Sequence, residues 1–204
     1  MPNLVFQRLQ RPHRWLLLLV WCLSGAALAQ TPSVEWPGRI VRLSHVEGLA
    51  QVLMPGRADW TPLDPAIPLI GGAQIATEPG SRAELHSGST AMRIEGRTRL
   101  GLGTLDDLST QLQITEGTLS VRVRALVHGE RVEFNTPNLA FLVGQPGEYR
   151  IDLDPARGWT RLTLHSGSGT VYGEQGETRV LSAPQQIIFA GRQLFTPPFV
   201  RSGD

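Results

Sequence analysis

The sequence contains no lysine, so all nineteen of its basic residues are arginine. Arginine clusters that serve anion binding normally include some lysine, whereas a complete bias of this kind is typical of a GC-rich genome. We therefore draw no functional conclusion from the arginine count itself.

Cysteine is almost as scarce, because Cys22 is the single one in the chain. It lies in an N-terminal segment that we expect to be removed on export. The remaining chain then has no disulfide and no thiol chemistry, and its stability depends on its core alone.

The N-terminus has the pattern of a secretory signal peptide. Arg8, Arg11 and Arg14 form a positive region, and an apolar run follows from Trp15 to Ala29. The run ends in Ala-Leu-Ala, the small-residue pattern that signal peptidase accepts, which predicts cleavage between Ala29 and Gln30. The alternatives are an uncleaved anchor, although a span needs about 20 apolar residues, and lipid attachment at Cys22, which bulky Trp21 disfavours.

The predicted organisation is a signal peptide over 1–29, a linker over 30–38, one domain over 39–196 and a loose tail over 197–204. Without the signal peptide the chain has 16 basic and 18 acidic residues, so we expect no nucleic-acid partner. No later apolar run is long enough to cross a membrane, so the expected location is the periplasm.

Helical periodicity is also scarce; 102–108 is the best helical candidate. The dominant period is two: residues 118–125 and 148–154 alternate apolar and polar side chains, as half-buried strands do. Shorter strand candidates are 40–46, 49–54, 83–85, 91–94, 112–115, 132–134, 140–143, 161–164 and 187–190. Twenty-two Gly and fifteen Pro favour turns. We predict a single all-β domain of short, mostly antiparallel strands, forming an irregular β-roll, a solenoid-like fold or a sandwich.

A weak repeat runs through these strands. The segments 47–52, 116–121 and 166–171 resemble one another, and each places a glycine after an alternating strand. The pentapeptide Leu-His-Ser-Gly-Ser also occurs twice, at 85–89 and 164–168. Each repeat glycine is therefore expected to hold a turn or bulge conformation that a β-carbon would oppose.

The sequence lacks the motifs of nucleophilic and metal-dependent enzymes. No G-x-S-x-G elbow occurs, and Ser168 lies in a repeated turn. The four histidines outside the signal peptide are spread along the chain, although His86 and His165 would meet if the repeats stacked. Neither Asp106-Asp107 nor the pair Asp152 and Asp154 provides enough ligands for calcium. We expect no cofactor, no metal and no enzymatic activity.

One group of side chains suggests a binding surface. Arg122 and Arg124 share the outer side of a strand, and Arg93, Arg97 and Arg99 lie just upstream. On neighbouring strands they would form a basic patch for an anionic glycan, a lipid headgroup or an acidic protein loop. The alternative is a solvated face where Glu84, Glu95 or Glu133 pairs with them. Trp60 and Trp159 are able to stack on a sugar, or to cover the core.

Two blocks of sequence resemble a known family. The first runs from Leu69-Ile70-Gly71-Gly72-Ala73-Gln74-Ile75-Ala76-Thr77 through Ser81-Arg82-Ala83-Glu84-Leu85 to Gly88-Ser89. The second includes Val132-Glu133-Phe134-Asn135-Thr136-Pro137-Asn138. They resemble the L-x-x-G-x-x-I-x-T, S-R-A-E-L and V-x-T-P patterns of the FecR-type periplasmic domain, over about residues 40–190. Gln145-Pro146-Gly147-Glu148-Tyr149 departs from the R-G-T-x-F of many relatives.

The resemblance implies an all-β extracytoplasmic domain that senses or relays through protein contacts. Relatives that regulate sigma factors carry a cytoplasmic segment and a membrane helix, where this chain has a predicted signal peptide. We expect a non-enzymatic periplasmic module that contacts an envelope protein or an anionic glycan. The alternatives are a self-associating structural protein and an enzyme that acts on envelope polysaccharide.

Overall fold

The computed structural model describes residues 39–191 together with 194 and 196. The predicted signal peptide, its Ala29–Gln30 cleavage site, the linker at 30–38 and the tail at 197–204 lie outside the described residues. Within the described part every regular element is a strand, and no helix is long and apolar enough to cross a membrane.

Fifteen strands form one open, hydrogen-bonded sheet, which confirms the predicted all-β class. The first eight are β1 Arg42–Glu47, β2 Ala50–Leu53, β3 Thr61–Pro62, β4 Gln74–Thr77, β5 Arg82–Ser87, β6 Thr90–Ile94, β7 Arg99–Leu105 and β8 Ser109–Val123. The others are β9 Arg131–Asn135, β10 Ala140–Val143, β11 Gly147–Asp154, β12 Trp159–Ser166, β13 Ser168–Tyr172, β14 Thr178–Ser182 and β15 Gln185–Ala190.

Strand β8 divides the sheet into two arms. The first arm has the order β1-β5-β6-β8-β11-β12-β15, and it uses residues 117–123 of β8. The second arm has the order β3-β2-β4-β7-β8-β9-β10-β13-β14, and it uses residues 109–116. All strand pairs in the described residues are antiparallel except β8 with β9. A single long strand therefore holds both arms together.

The side-chain alternation of β8 shifts by one residue where the arms meet. Leu112 and Ile114 are buried before the junction, whereas Leu119 and Val121 are buried after it. The register of β8 against β7 shifts by one residue between Ile114 and Glu116, and Gly117 follows at φ +90°. Both halves of β8 consequently point their apolar side chains into one shared core.

The other two copies of the sequence repeat cross between the arms in the same way. Gly48 joins β1 to β2 at φ +74°, and Gly167 joins β12 to β13 at φ +84°. Both of these crossings lead from the first arm to the second, whereas β8 runs from the second arm to the first. The expectation that these glycines hold positive φ is confirmed, and the repeat marks where the chain changes arm.

Aromatic side chains from both arms meet at the centre of the core. The Tyr149 ring from β11 lies 5.4 Å from the Phe141 ring of β10 and 6.2 Å from the Phe134 ring of β9. All three side chains are almost completely buried. Because Tyr149 belongs to the first arm and the phenylalanines to the second, this contact packs the arms against each other.

The helical candidate at 102–108 is wrong. Residues 99–105 form β7, and a turn at 106–108 leads into β8. Leu100, Leu102 and Leu105 are buried, while Gly101 and Gly103 occupy the outer face between them. Pairing with β4 and β8 makes this segment a strand despite its low intrinsic strand propensity.

Candidate functional site

The structure brings together two of the five arginines proposed as a binding surface. Arg93 on β6 and Arg122 on β8 lie on the outer face of the first arm, on neighbouring strands. Arg99 lies in the second arm on β7, and Arg97 occupies the preceding turn at φ +57°. Arg124 follows the end of β8 and is exposed, like Arg122, which confirms that both point away from the core.

The outer face around these two arginines is built from ion pairs between adjacent strands. Arg93 Nε lies 2.9 Å from Glu84 Oε1, and Arg122 Nε lies 3.4 Å from Glu148 Oε1. A third pair, Arg150 with Asp152, lies within β11, and Ser120 lies between Arg93 and Arg150. We call this surface the charged face. Its members are Glu84, Arg93, Ser120, Arg122, Glu148, Arg150 and Asp152.

Charge is balanced within the charged face, since each arginine has a carboxylate partner. The hydrogen bond from Arg93 lowers the pKa of Glu84, which keeps that carboxylate ionised. Of the carboxylates that the sequence offered as partners, Glu84 pairs with Arg93 across the strands, whereas Arg122 pairs with Glu148. The surface therefore matches a partner that presents both signs of charge better than it matches a polyanion.

A shallow hollow of about 430 Å³ runs over the charged face. His86 and His165 line its two sides, so both copies of the repeated pentapeptide contribute to it. They belong to β5 and β12, which are four strand spacings apart, or about 19 Å. The histidines thus share a surface but do not meet. No group of three or more His, Cys, Asp or Glu side chains among the described residues is placed to hold a metal ion.

Ser168 has the structural role that its sequence context indicates. It begins β13 directly after the crossing at Gly167, and its carbonyl oxygen accepts a hydrogen bond of 2.8 Å from the Gly144 N–H. A strand follows it, whereas a nucleophile elbow leads into a helix. The arrangement at Ser168 is therefore that of a turn between two arms.

A second hollow, of about 450 Å³, lies on the outer face of the second arm. Trp60 stands on one side of it, and Gln74 and Gln113 flank a floor that contains Gly101 and Gly103. We call these five residues the amide groove. Sequence reasoning missed it because the alternation of leucine and glycine in β7 was interpreted as a helical segment. The period of two in Leu100, Leu102 and the intervening glycines was the available signal.

Three polar residues of the family-like blocks have structural roles in this chain. Thr77 donates a hydrogen bond of 2.5 Å to the Glu95 carbonyl, and Ser81 Oγ accepts one of 2.8 Å from the Leu49 N–H. Asn138 lies in the core and donates to the Phe189 carbonyl at 3.2 Å. These side chains satisfy buried backbone groups, so the resemblance is carried by the fold rather than by a site.

Comparison with known proteins shows a likeness at the level of the fold. No family model matches the chain, and no curated protein matches it. Two crystal structures of a candidate anti-sigma factor from Parabacteroides distasonis ATCC 8503, at 1.65 and 2.50 Å resolution, share the fold. Each superposes with a TM-score of 0.51, at 13% and 14% identity respectively. The match covers 60% of this chain and 57% of that protein, so it spans little more than half of the structure it resembles.

Proposed function

We propose that this protein is a non-enzymatic binding or sensing module of the periplasm, which contacts another envelope protein through the charged face. The observation that carries the proposal is a row of two cross-strand ion pairs, β5 with β6 and β8 with β11, and a third pair within β11. A rigid sheet holds these charges in fixed positions, so the face provides a specific pattern of both signs.

The resemblance to FecR-type periplasmic domains and the shared fold with a candidate anti-sigma factor support a sensing role. Export through the predicted signal peptide would deliver the domain to the periplasm, where such modules act.

Photo-crosslinking in living cells tests this proposal directly. A photoreactive amino acid replaces Ser120, which lies between Arg93 and Arg150 on adjacent strands. We expect a discrete adduct with a second envelope protein, because Ser120 would lie within the contact. The same amino acid at Thr163, on β12 of the same arm, is a control for the extent of the contact. A Ser120 position that yields no adduct would contradict the proposal.

A self-associating structural role is the second candidate, and the edge strand β14 favours it. Among the described residues β14 pairs with β13 alone, and Val180 at its centre is 74% exposed. Open edges of this kind pair readily with another chain. A photoreactive residue at position 180 would give a homodimer adduct if the structural role is correct, and none if the charged face performs the main function.

A further inference from the structure

The amide groove continues across the strands of the second arm. Its register row passes from Gln74 through Gly101 and Gln113 to Asn135 and Ala140, and it ends at Tyr172. The six positions cover five strand spacings, or about 24 Å. A third hollow, of about 240 Å³ and lined by Asn135, Ala140 and Tyr172, lies at the far end of the row. Two separate hollows thus form one line with an aromatic ring at each end.

Uncharged polar groups dominate this line, in contrast to the charged face. The amides of Gln74 and Gln113 are exposed, and neither has a hydrogen-bond partner among the described residues. Among the described residues that line the 450 Å³ hollow, Arg99 is the only charged one, and its guanidinium lies 3.6 Å from Glu116. Free amides that donate and accept in an electrically balanced groove match hydroxyl and acetamido groups rather than ions.

Neither backbone conformation nor lack of space requires the glycine at position 101. Its φ is not positive, and a Cβ atom there would stand 3.6 Å from Gln113 Cβ, an ordinary contact. A glycine inside a strand weakens the strand, and it often marks a place where a ligand approaches the backbone. Packing of the core therefore does not require the open floor between Trp60 and Gln113.

We propose that the amide groove binds an uncharged, hydroxyl-rich oligosaccharide that lies across the strands. Trp60 and Tyr172 provide apolar faces for sugar rings at the two ends, and the amides of Gln74 and Gln113 hydrogen-bond the hydroxyl groups between them. Among the described residues, no carboxylate lines the 450 Å³ hollow and Glu174 alone lines the 240 Å³ hollow, whereas glycoside hydrolysis uses a pair of carboxylates. The oligosaccharide is accordingly bound without being cleaved. This site is on the other arm and is independent of the charged face.

Calorimetric titration of the purified protein, expressed from its full-length gene, tests the assignment. The probes are the neutral hexamers of glucose (cellohexaose) and of N-acetylglucosamine, with hexagalacturonate as the acidic counterpart. We expect at least one neutral hexamer to bind, and hexagalacturonate to bind at least about tenfold more weakly because the groove has no unpaired cation. A protein that binds neither neutral hexamer, or that prefers the acidic one, contradicts the proposal.

Gly101→Val distinguishes an effect on binding in the groove from an effect on folding. The substitution fills the floor while adding a residue that strands favour, so the melting temperature should stay the same or rise. Affinity for the neutral hexamer should fall at least about tenfold, as truncation of a binding hot spot would cause. Ala91→Val, which enlarges an outward-facing position on β6 of the first arm, is the matched control and should leave affinity unchanged. Equal affinity of wild type and Gly101→Val would overturn the site.

Tyr172→Ala tests the extended line independently. If the oligosaccharide spans the row, this change at the far end should lower the affinity for the hexamer and have little effect on the affinity for a dimer of the same sugar. The charge-reversed variant Arg93→Glu/Arg122→Glu should bind the hexamer like wild type, because both residues lie on the other arm. Loss of hexamer binding in that variant, with folding retained, would contradict the assignment to the amide groove.

Discussion

Gly117 lies against Thr98 with no room for a side chain between them. A Cβ atom at Gly117 would stand 2.4 Å from Thr98 Oγ1 and 2.4 Å from the Arg97 carbonyl oxygen. The Thr98 hydroxyl also accepts a hydrogen bond of 3.0 Å from the Thr118 N–H and lies 3.2 Å from the Thr118 carbonyl. The junction of the two arms is therefore fixed by close backbone approach as well as by the positive φ of Gly117.

Gly117→Val should lower the free energy of unfolding by about 2 kcal/mol or more, because steric clash adds to backbone strain. Gly80→Val is the matched control, since Gly80 has φ +75° and nothing within 4 Å of its added Cβ. In the control, backbone strain alone should lower the free energy of unfolding, by about 1 kcal/mol. Urea denaturation of both variants measures the difference, and equal losses would show that the contact with Thr98 does not stabilise the junction.

Arg39 and Glu130 form the most buried ion pair in the described residues. Arg39 Nη1 lies 2.5 Å from Glu130 Oε1 and 3.1 Å from Thr110 Oγ1, and the Glu130 side chain is 2% exposed. Glu130→Ala should destabilise the fold by about 3 kcal/mol, because it leaves the guanidinium of Arg39 partly buried without a counter-charge. Glu84→Ala breaks an exposed pair and should change stability by no more than about 1 kcal/mol. The same urea titration distinguishes them.

Asn138 holds a buried polar cluster together. Its Oδ1 accepts a hydrogen bond of 2.5 Å from the Thr160 hydroxyl, and its Nδ2 donates to the Phe189 carbonyl at 3.2 Å. Asn138→Ala should lower the free energy of unfolding by about 2 kcal/mol, because the buried bonds to Phe189 and Thr160 are lost and the Thr160 hydroxyl keeps only its 3.3 Å contact with Thr136 Oγ1. Asn135→Ala, at a half-buried position, should cost less. A melting temperature equal to that of the wild type in Asn138→Ala would contradict the structural role of Asn138.

Alkaline stability should depend on Tyr149. Burial raises the pKa of its hydroxyl, which donates to the Gln145 carbonyl at 2.5 Å. A raised folded-state pKa means that the unfolded state loses its proton first, so stability decreases as the pH rises above about 10. The chain has no lysine to titrate in that range. Tyr149→Phe should therefore lessen the decrease in melting temperature between pH 9 and pH 11, and an unchanged decrease would contradict this.

Much of the fold follows from periodicity in the sequence. The alternation at 148–154 became β11, and the shorter candidates at 91–94 and 140–143 became β6 and β10 with similar bounds. Local pattern was sufficient there because one face of each strand is buried. The repeat glycines were also identified from the sequence, since Gly48, Gly117 and Gly167 all have positive φ.

The rest depends on contacts between distant parts of the chain. Strands β7 and β14 have weak patterns of their own and exist because neighbouring strands pair with them. The parallel pairing of β8 with β9 has no signature in either segment. The same limit affected the arginines. Arg93 and Arg99, six residues apart, lie in different arms, and strand pairing places Glu148 beside Arg122.

The central claim is that the charged face forms the contact with an envelope protein. The most direct measurement is the yield of the Ser120 crosslinked adduct in cells that express Arg93→Glu/Arg122→Glu, compared with Arg97→Glu/Arg124→Glu. Both variants reverse two exposed arginines, but only the first pair belongs to the charged face. We predict that the first variant loses most of the adduct while remaining folded, and that the second retains it. Equal yields from the two folded variants would contradict the account.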